Sequence, residues 1–415
     1  MEPRHGQGLI DQERLWSDLM TLGAIGGTPA GGSMRGALSP ADREGRALFS
    51  HWAIEAGLSL RADRIGNLFA RREGRDPQAA PVMIGSHLDT QLPGGRFDGV
   101  LGVLAGLAVC RALDRAGIVT RRPIEVVDWT NEEGARFQPG VMGSAVYTGA
   151  LDLDEALARQ DPQGISVAQA LHQTGTAGTA PVPGRIPHSY LELHIEQGPE
   201  LDTRGKTIGM VTTSSAMCSG YATIRGANGH TQTLAMSRRR NALAGAARLV
   251  LAIEEIGAGL EPAGMVSASV LENWPNNRVN IPHLSTLSWA VVGFDPALRN
   301  AAVARIEAAA ADIARETGLE IEIDHRHYRE PCHFDDALIA RGMARAAARG
   351  LPAMTLPTLT AHDALSFTAL CPTALIFVPC KDGVSHSEAE WCRPEDAARG
   401  AEILLDLACE AADAP

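Results

Sequence analysis

An apolar run, Pro81-Val-Met-Ile84, leads straight into Gly85-Ser-His-Leu-Asp-Thr-Gln-Leu-Pro-Gly-Gly-Arg-Phe-Asp98-Gly, and an apolar helical segment, residues 100–116, follows. A short apolar strand, a polar glycine-rich loop and a helix make the repeating step of a layered α/β fold. The loop is also a good place for a metal. The His87 imidazole is a borderline-soft ligand, Asp89 two residues on can hold its other ring nitrogen, and the Asp98 carboxylate can bridge two ions.

The chain is 415 residues long, more than one hydrophobic core usually serves, so two domains are expected. A formal net charge of −12 argues against nucleic acid or an anionic membrane as the main partner. It says little about a small-molecule substrate, because the local field of a site can oppose the net charge. The cysteine count is odd at seven, with no Cys-x-x-Cys pair, which points to a reduced, cytoplasmic protein. The opening Met-Glu-Pro-Arg-His-Gly-Gln-Gly is polar and has no signal-peptide core. No apolar run approaches the roughly 20 residues of a membrane span.

Residues 9–23 have the spacing of an amphipathic helix, and Ser39-Pro40 starts a second one with Ser39 as N-cap. Residues 58–64 and 68–71 read as strands. Pro123-Ile-Glu-Val-Val-Asp-Trp-Thr130 is another, ending at Asn131-Glu132-Glu133-Gly134. Residues 151–172 are helical in pattern, and Tyr190-Leu-Glu-Leu-His194-Ile-Glu-Gln-Gly198 is a further strand running into polar residues. After about Thr212 the order becomes β-α-β-β-α-β: strands at 221–226, 265–271, 285–294 and 319–325, helices at 238–256 and 298–317. That is the split βαβ, ferredoxin-like unit, inserted into the first fold. The first fold resumes near Pro331 with a helix at 335–348, the strand Thr373-Ala-Leu-Ile-Phe-Val-Pro379 and a last helix at 394–411. The expected division is 1–212 with 328–415 for the α/β domain, and 213–327 for the insertion.

His87, the Glu132-Glu133 pair, His194 and His386 each fall at or just past the C-terminal end of a predicted strand, the edge where open α/β sheets bind ligands. The candidate ligands are His87, Asp98, Glu133, His194 and His386. Three imidazoles and two carboxylates suit two divalent ions, zinc first, with manganese, cobalt or nickel as alternatives. Of the adjacent acids, one can bind metal while the other takes a proton from the attacking water and returns it to the leaving nitrogen. His325 and His327 read as surface residues, and Cys332-His333 as a half-site without a partner.

The segments Gly85-Ser-His-Leu-Asp-Thr with Gly95-Arg-Phe-Asp-Gly-Val, Trp129-Thr-Asn-Glu-Glu-Gly-Ala-Arg-Phe, Glu192-Leu-His-Ile-Glu-Gln-Gly-Pro and Asp382-Gly-Val-Ser-His-Ser resemble the hydantoinase/carbamoylase branch of the dimetal M20 amidohydrolases. That branch includes N-carbamoyl-L-amino acid hydrolases, allantoate amidohydrolases and β-ureidopropionases. The resemblance covers nearly the whole chain. It implies an aminopeptidase-like dimetal catalytic domain interrupted by a lid and dimerisation domain. It implies His87, Asp98 (bridging), Glu133, His194 and His386 as ligands of two ions per subunit, with Glu132 as general base. His230, in Asn228-Gly-His-Thr-Gln-Thr-Leu-Ala-Met236, stands where the family has a histidine that reaches the partner subunit's site and stabilises the oxyanion, so a homodimer is implied.

The chain departs from the family at Gly293, in Trp289-Ala-Val-Val-Gly293, where relatives carry an Arg that pairs with the substrate carboxylate. Either Arg278 takes over or the substrate lacks that carboxylate. Asn277 and Asn280 are the nearest matches to the family's substrate-binding Asn, and Gln197 and His362 are further candidates at the substrate. The resemblance implies hydrolysis of a linear, non-peptide C–N bond, first of an N-carbamoyl amino acid to amino acid, ammonia and carbon dioxide. Alternatives are an allantoate or ureidoglycolate type of substrate, or an N-acyl or N-formyl amino acid. A non-catalytic binding protein on the same fold would have lost ligands or the base, whereas every ligand position and Glu132 are present here.

Overall fold

The computed structural model describes residues 8–414, and the polar opening segment read above lies largely outside them. Two compact units emerge, one from Met1–Thr212 with His333–Pro415, the other Thr213–Cys332. The second unit runs past the expected boundary at 327. His327–Arg329 pairs with the strand Ala216–Arg225, and Arg299 of the same unit donates to the Arg329 carbonyl at 2.9 Å.

The first unit is built on an eight-stranded sheet in the order Ser59–Ala62, Leu68–Arg72, Ile124–Trp129, Val82–His87, Ser189–Ile195, Thr373–Val378, Ile208–Ser214, Ala353–Thr358. The strands Ile124–Trp129, Val82–His87, Ser189–Ile195 and Thr373–Val378 run parallel, and every residue in them is buried. This is why Val82–Ile84 and Ala374–Val378 read as continuous apolar runs, while the buried Glu125, Asp128, Glu192 and His194 interrupt the other two strands. Leu68–Arg72 and Ile208–Ser214 join antiparallel on either side. Helix Val100–Arg115 packs on the Val82–His87 strand and against helices Gln12–Gly23 and Pro394–Asp413, so it is apolar around most of its circumference. Ser39 caps helix Pro40–Glu55, accepting the Asp42 amide.

In the second unit a sheet in the order Leu271–Trp274, Leu284–Gly293, Ala216–Arg225, Glu320–Ile323 is antiparallel throughout. Helices Ala242–Ala258 and Pro296–Thr317 supply a core with Ala222, Ile224, Leu287, Trp289 and Val291. The strand expected over 265–271 is two pieces, Gly264–Ser267 and Leu271–Trp274, interrupted where Ser288 Oγ takes the Val270 amide.

Candidate metal centre

His87 ends its strand, His194 lies next to the end of Ser189–Ile195, Glu132 and Glu133 follow Ile124–Trp129, and His386 follows Thr373–Val378. Asp98 comes from the loop ahead of helix Val100–Arg115. All six groups therefore gather at the carboxyl edge of the four parallel strands. The turns that deliver them are strained. Asn131, Gln197 and His386 have left-handed φ values of 57°, 61° and 51°, conformations that cost non-glycine residues about 1–3 kcal/mol and persist where the surroundings enforce them. Two glycines are required by close approach. A Cβ at residue 95 would fall on the Glu390 carboxylate, and one at Gly99, whose φ is +66°, on the His87 ring.

Asp98 is the hinge of the cluster. Its Oδ1 lies 3.0 Å from His194 Nε2 and 3.6 Å from His87 Nε2, while its Oδ2 lies 3.2 Å from His386 Nε2. His386 Nε2 is 3.4 Å from Glu133 Oε2, and His87 Nε2 is 3.4 Å from Glu132 Oε2. Three donor sets result, each with its ligand atoms within 4.8 Å of one another: His87–Asp98–His194 and Asp98–Glu133–His386, which share Asp98, and Glu192–His194–His362 behind them. The donor chemistry fits divalent cations. His87 Nδ1 bonds the Asp89 carbonyl at 2.9 Å and His194 Nδ1 the Ile195 carbonyl at 2.8 Å. Each carbonyl holds the proton on Nδ1 and leaves the lone pair on Nε2, the state in which imidazole binds metal, although here the His194 lone pair accepts the Gly99 amide at 3.1 Å.

Electrostatics agree with a site that needs cations. Burial raises the Glu132 carboxyl well above the usual range, with Asp363, Glu133 and Asp98 adding to it and His87 opposing. Burial and Asp98 push Glu133 up to about 7. Burial would depress the imidazoles, but the carboxylates outweigh it. Glu132, Asp98 and Asp89 hold His87 well up, and Asp98 with Glu133 lifts His386, which is half-exposed, to about 9. Without a bound cation these groups keep protons in order to coexist.

Asp89 differs from the expectation in the atoms it uses. Its backbone carbonyl meets the His87 ring, whereas its carboxylate Oδ1 is 3.9 Å from Nδ1. The carboxylate instead accepts the Glu132 and Glu133 amides at 3.2 and 3.3 Å, because strands Val82–His87 and Ile124–Trp129 are neighbours. Gln197 joins the cluster through Nε2, 2.7 Å from Asp98 Oδ2, and its buried Oε1 has no partner. His362 is buried behind His194, edge-on at 4.5 Å, with Nε2 2.8 Å from Thr360 Oγ1.

The remaining candidates lie in the second unit and lie close to one another. His230 and Asn280 are partners in a two-stranded pairing, and Thr231 Oγ1 donates to the Arg278 carbonyl at 3.4 Å. Asn277 Oδ1 caps the turn by accepting the Val279 and Asn280 amides. Gly293 is buried, and a Cβ there would meet Leu298 Cδ2 at 3.0 Å. His325, read as surface, pairs with Glu307 at 3.0 Å.

Four acids behind the cluster went unread in the sequence. Glu192 accepts from Ser86 Oγ and the Ala364 amide. Asp363 accepts from Ser144 Oγ at 2.6 Å, and burial with Glu192 nearby raises it well above the ordinary range. Glu390 accepts the Phe97 and Asp98 amides, and Ser385 bridges it to Asp98. Asp128 holds the Leu88 amide at 2.9 Å. Only Glu192 left a signal. It lies two residues before His194 on one strand, so both side chains point to the same face.

The chain matches the model of peptidase family M20/M25/M40 over residues 83–410. It is 39% identical over 404 residues to an N-carbamoyl-L-amino-acid amidohydrolase of Rhizobium meliloti, covering 97% of each chain. It is 30% identical over 406 residues to a ureidoglycolate hydrolase of Arabidopsis thaliana, covering 95% of this chain and 85% of that one. A solved amidase of the hydantoinase/carbamoylase family from Burkholderia vietnamiensis superposes with a TM-score of 0.96 at 39% identity, over 99% of this chain and 100% of that one.

Proposed function

The chain belongs to the M20/M25/M40 peptidase family, and from that premise we propose that it is a metal-dependent amidohydrolase whose substrate is an N-carbamoyl amino acid. The reaction hydrolyses the linear carbamoyl C–N bond and releases the amino acid, ammonia and carbon dioxide. The observation that carries this reading is the pair of donor sets sharing Asp98, with a buried Glu132 carboxyl beside His87.

In this reading His87 and His194 would hold one divalent ion, Glu133 and His386 the other, and Asp98 would contribute to both sets. Zinc suits the imidazole-rich set best, with manganese, cobalt or nickel as alternatives. Bound there, the ions supply Lewis acidity toward the scissile carbonyl and the attacking water. Glu132 does the proton transfer: as the carboxylate beside His87 it accepts the proton of the attacking water and returns it to the departing nitrogen. Gln197 offers its free Oε1 to a substrate N–H.

The inserted unit, Thr213–Cys332, acts as a ferredoxin-like lid and dimerisation module, and His230 serves the partner's site. The Gln232 amide donates to His230 Nδ1 at 3.1 Å, which leaves Nε2–H as an exposed donor for an oxyanion. Exposed Leu271 and Trp274 on the edge strand Leu271–Trp274 support a homodimer through this unit. Arg278, exposed beside the His230 segment, takes over the substrate carboxylate in place of the residue missing at Gly293.

A panel of N-carbamoyl amino acids, allantoate, ureidoglycolate, N-acyl and N-formyl amino acids and dipeptides tests the reading by ammonia and amine release. The highest kcat/KM is expected on a carbamoyl amino acid. Chelation should abolish turnover, and zinc, manganese or cobalt should restore it. Turnover of dipeptides alone, or activity indifferent to chelation, would count against the assignment.

Metal uptake should also release protons. His386 at about 9 and Glu133 at about 7 are both raised in the metal-free protein, so a cation displaces protons from them. Apparent affinity therefore rises with pH up to about 9, by up to about tenfold per pH unit for each proton displaced, with His386 contributing up to about 9 and Glu133 only below about 7. Indicator-dye measurements in weak buffer follow the release directly, and a pH-independent affinity would contradict it.

A further inference from the structure

The peptide unit between His87 and Asp89 is held at both ends by buried charge. The Leu88 amide donates to Asp128 Oδ1 at 2.9 Å, and the Leu88 carbonyl accepts from Arg35 Nε at 2.7 Å. The other Asp128 oxygen, Oδ2, accepts from Arg46 Nε at 2.6 Å. Arg46 Nη2 donates onward to the Gly66 carbonyl at 2.8 Å and Thr130 Oγ1 at 3.2 Å. Arg35, Arg46, Leu88 and Asp128 are all between 0% and 4% exposed, so none of these bonds is shared with bulk water.

Arg35 is the more unusual of the two arginines. Nε and Nη1 go to the Leu88, Leu22 and Ile25 carbonyls and to Ser33 Oγ, with no carboxylate among these acceptors, and Nη2 has no partner. The backbone of residue 35 also exchanges hydrogen bonds with Thr90: its amide donates to Thr90 Oγ1 at 2.8 Å and its carbonyl accepts the Thr90 amide at 2.9 Å. Buried charge of this kind is a poor way to stabilise a fold, because apolar groups of similar volume avoid the desolvation cost. Here it converges on one residue, the one that separates His87 from Asp89.

The arrangement is reciprocal. Asp128, on the strand that leads to Glu132 and Glu133, accepts the Leu88 amide, while Asp89, just past the His87 strand, accepts the Glu132 and Glu133 amides. A rotation of the Leu88 peptide would turn the His87 backbone and displace the Asp89 carbonyl that holds His87 Nδ1. We propose that Asp128, backed by Arg46 and opposed by Arg35 on the carbonyl side, is a positioning residue for the metal centre. It sets the direction of His87 Nε2 and ties the strand end bearing His87 to the one bearing Glu132. This rests on the reading of His87 as a metal ligand.

The test compares Asp128→Asn and Arg46→Met with Arg349→Met. The Arg349 side chain is equally buried and is paired with Glu402 and Asp406 on helix Pro394–Asp413, which gives no side chain to the cluster. Four readouts are needed: zinc affinity by competition with a chromophoric chelator, the visible spectrum of the cobalt-loaded protein, kcat and KM, and the thermal midpoint of the metal-free protein. Asp128→Asn and Arg46→Met should weaken metal affinity by about tenfold or more and shift the cobalt bands. They should lower kcat by a similar factor with KM little changed. Arg46→Lys, which restores a cation beside Asp128, should recover affinity relative to Arg46→Met. Arg349→Met should lower the thermal midpoint and leave affinity and bands as in the wild type.

Wild-type affinity and spectrum in Asp128→Asn and Arg46→Met would overturn the proposal, and so would an Arg349→Met variant that loses affinity in proportion to its lost stability. If Asp128→Asn does not fold, the Arg46 pair decides the matter alone. A wild-type protein that binds no divalent ion would instead bring down the metal reading beneath it, and the wild-type titration tells the two failures apart.

Discussion

Glu132→Gln should bind two divalent ions as the wild type does and turn over at least about a thousandfold more slowly. The substitution keeps the size of the side chain and leaves the residue 132 amide on Asp89. It removes only the capacity to accept and return a proton. Glu132 Oε2 is beside His87 Nε2, and burial with three neighbouring acids holds its carboxyl high. A glutamine there cannot titrate. The effect should fall on kcat, with KM nearly unchanged, because the proton moves only as the bond breaks. Metal analysis of the purified variant and steady-state ammonia release check both halves. Residual activity near a tenth of wild type, at full metal content, would move the role of base to another group.

Asp98→Asn should be the more damaging change to the site, leaving less than one ion per subunit and no measurable turnover. Asp98 Oδ1 faces His87 and His194, and Oδ2 faces His386, Gln197 and Ser385. Burial alone would raise this carboxyl, but the three imidazoles hold it well below the ordinary range. An amide brings no charge and points an N–H toward one of the two donor sets. Loss of a ligand shared by both sites therefore weakens both, whereas loss of His386 alone should weaken one. Metal content by elemental analysis separates the two cases, and a variant that retains two ions would contradict a bridging role for Asp98.

The strand-end residues were legible because their setting is local. Apolar runs ending in Gly-Ser-His-Leu-Asp, in Asn-Glu-Glu-Gly and in His-Ile-Glu-Gln-Gly announce a buried strand and a polar turn within a few residues. Ser39-Pro40 announces a helix start for the same reason. The strands Ile208–Ser214 and Ala353–Thr358 were not legible. Each carries a glycine or proline that weakens its local pattern, and both form only because they lie beside an already ordered sheet. Helix Met142–Thr148 was missed as well, being short and entered through a left-handed Val141.

What the sequence by itself determined was the inventory of donors and the turns that present them, since both follow from periodicity and residue type over a few positions. The tertiary structure decided which atoms meet. It divided Asp98 between two sets of imidazoles, gave the Asp89 carboxylate to the Glu132 and Glu133 amides, and placed Asp128 and Arg46 behind Leu88. Apart from Asp98 with His87, those contacts join residues 35 or more positions apart through the order of strands in a sheet. That order is set by long-range packing, on which local sequence pattern has no hold.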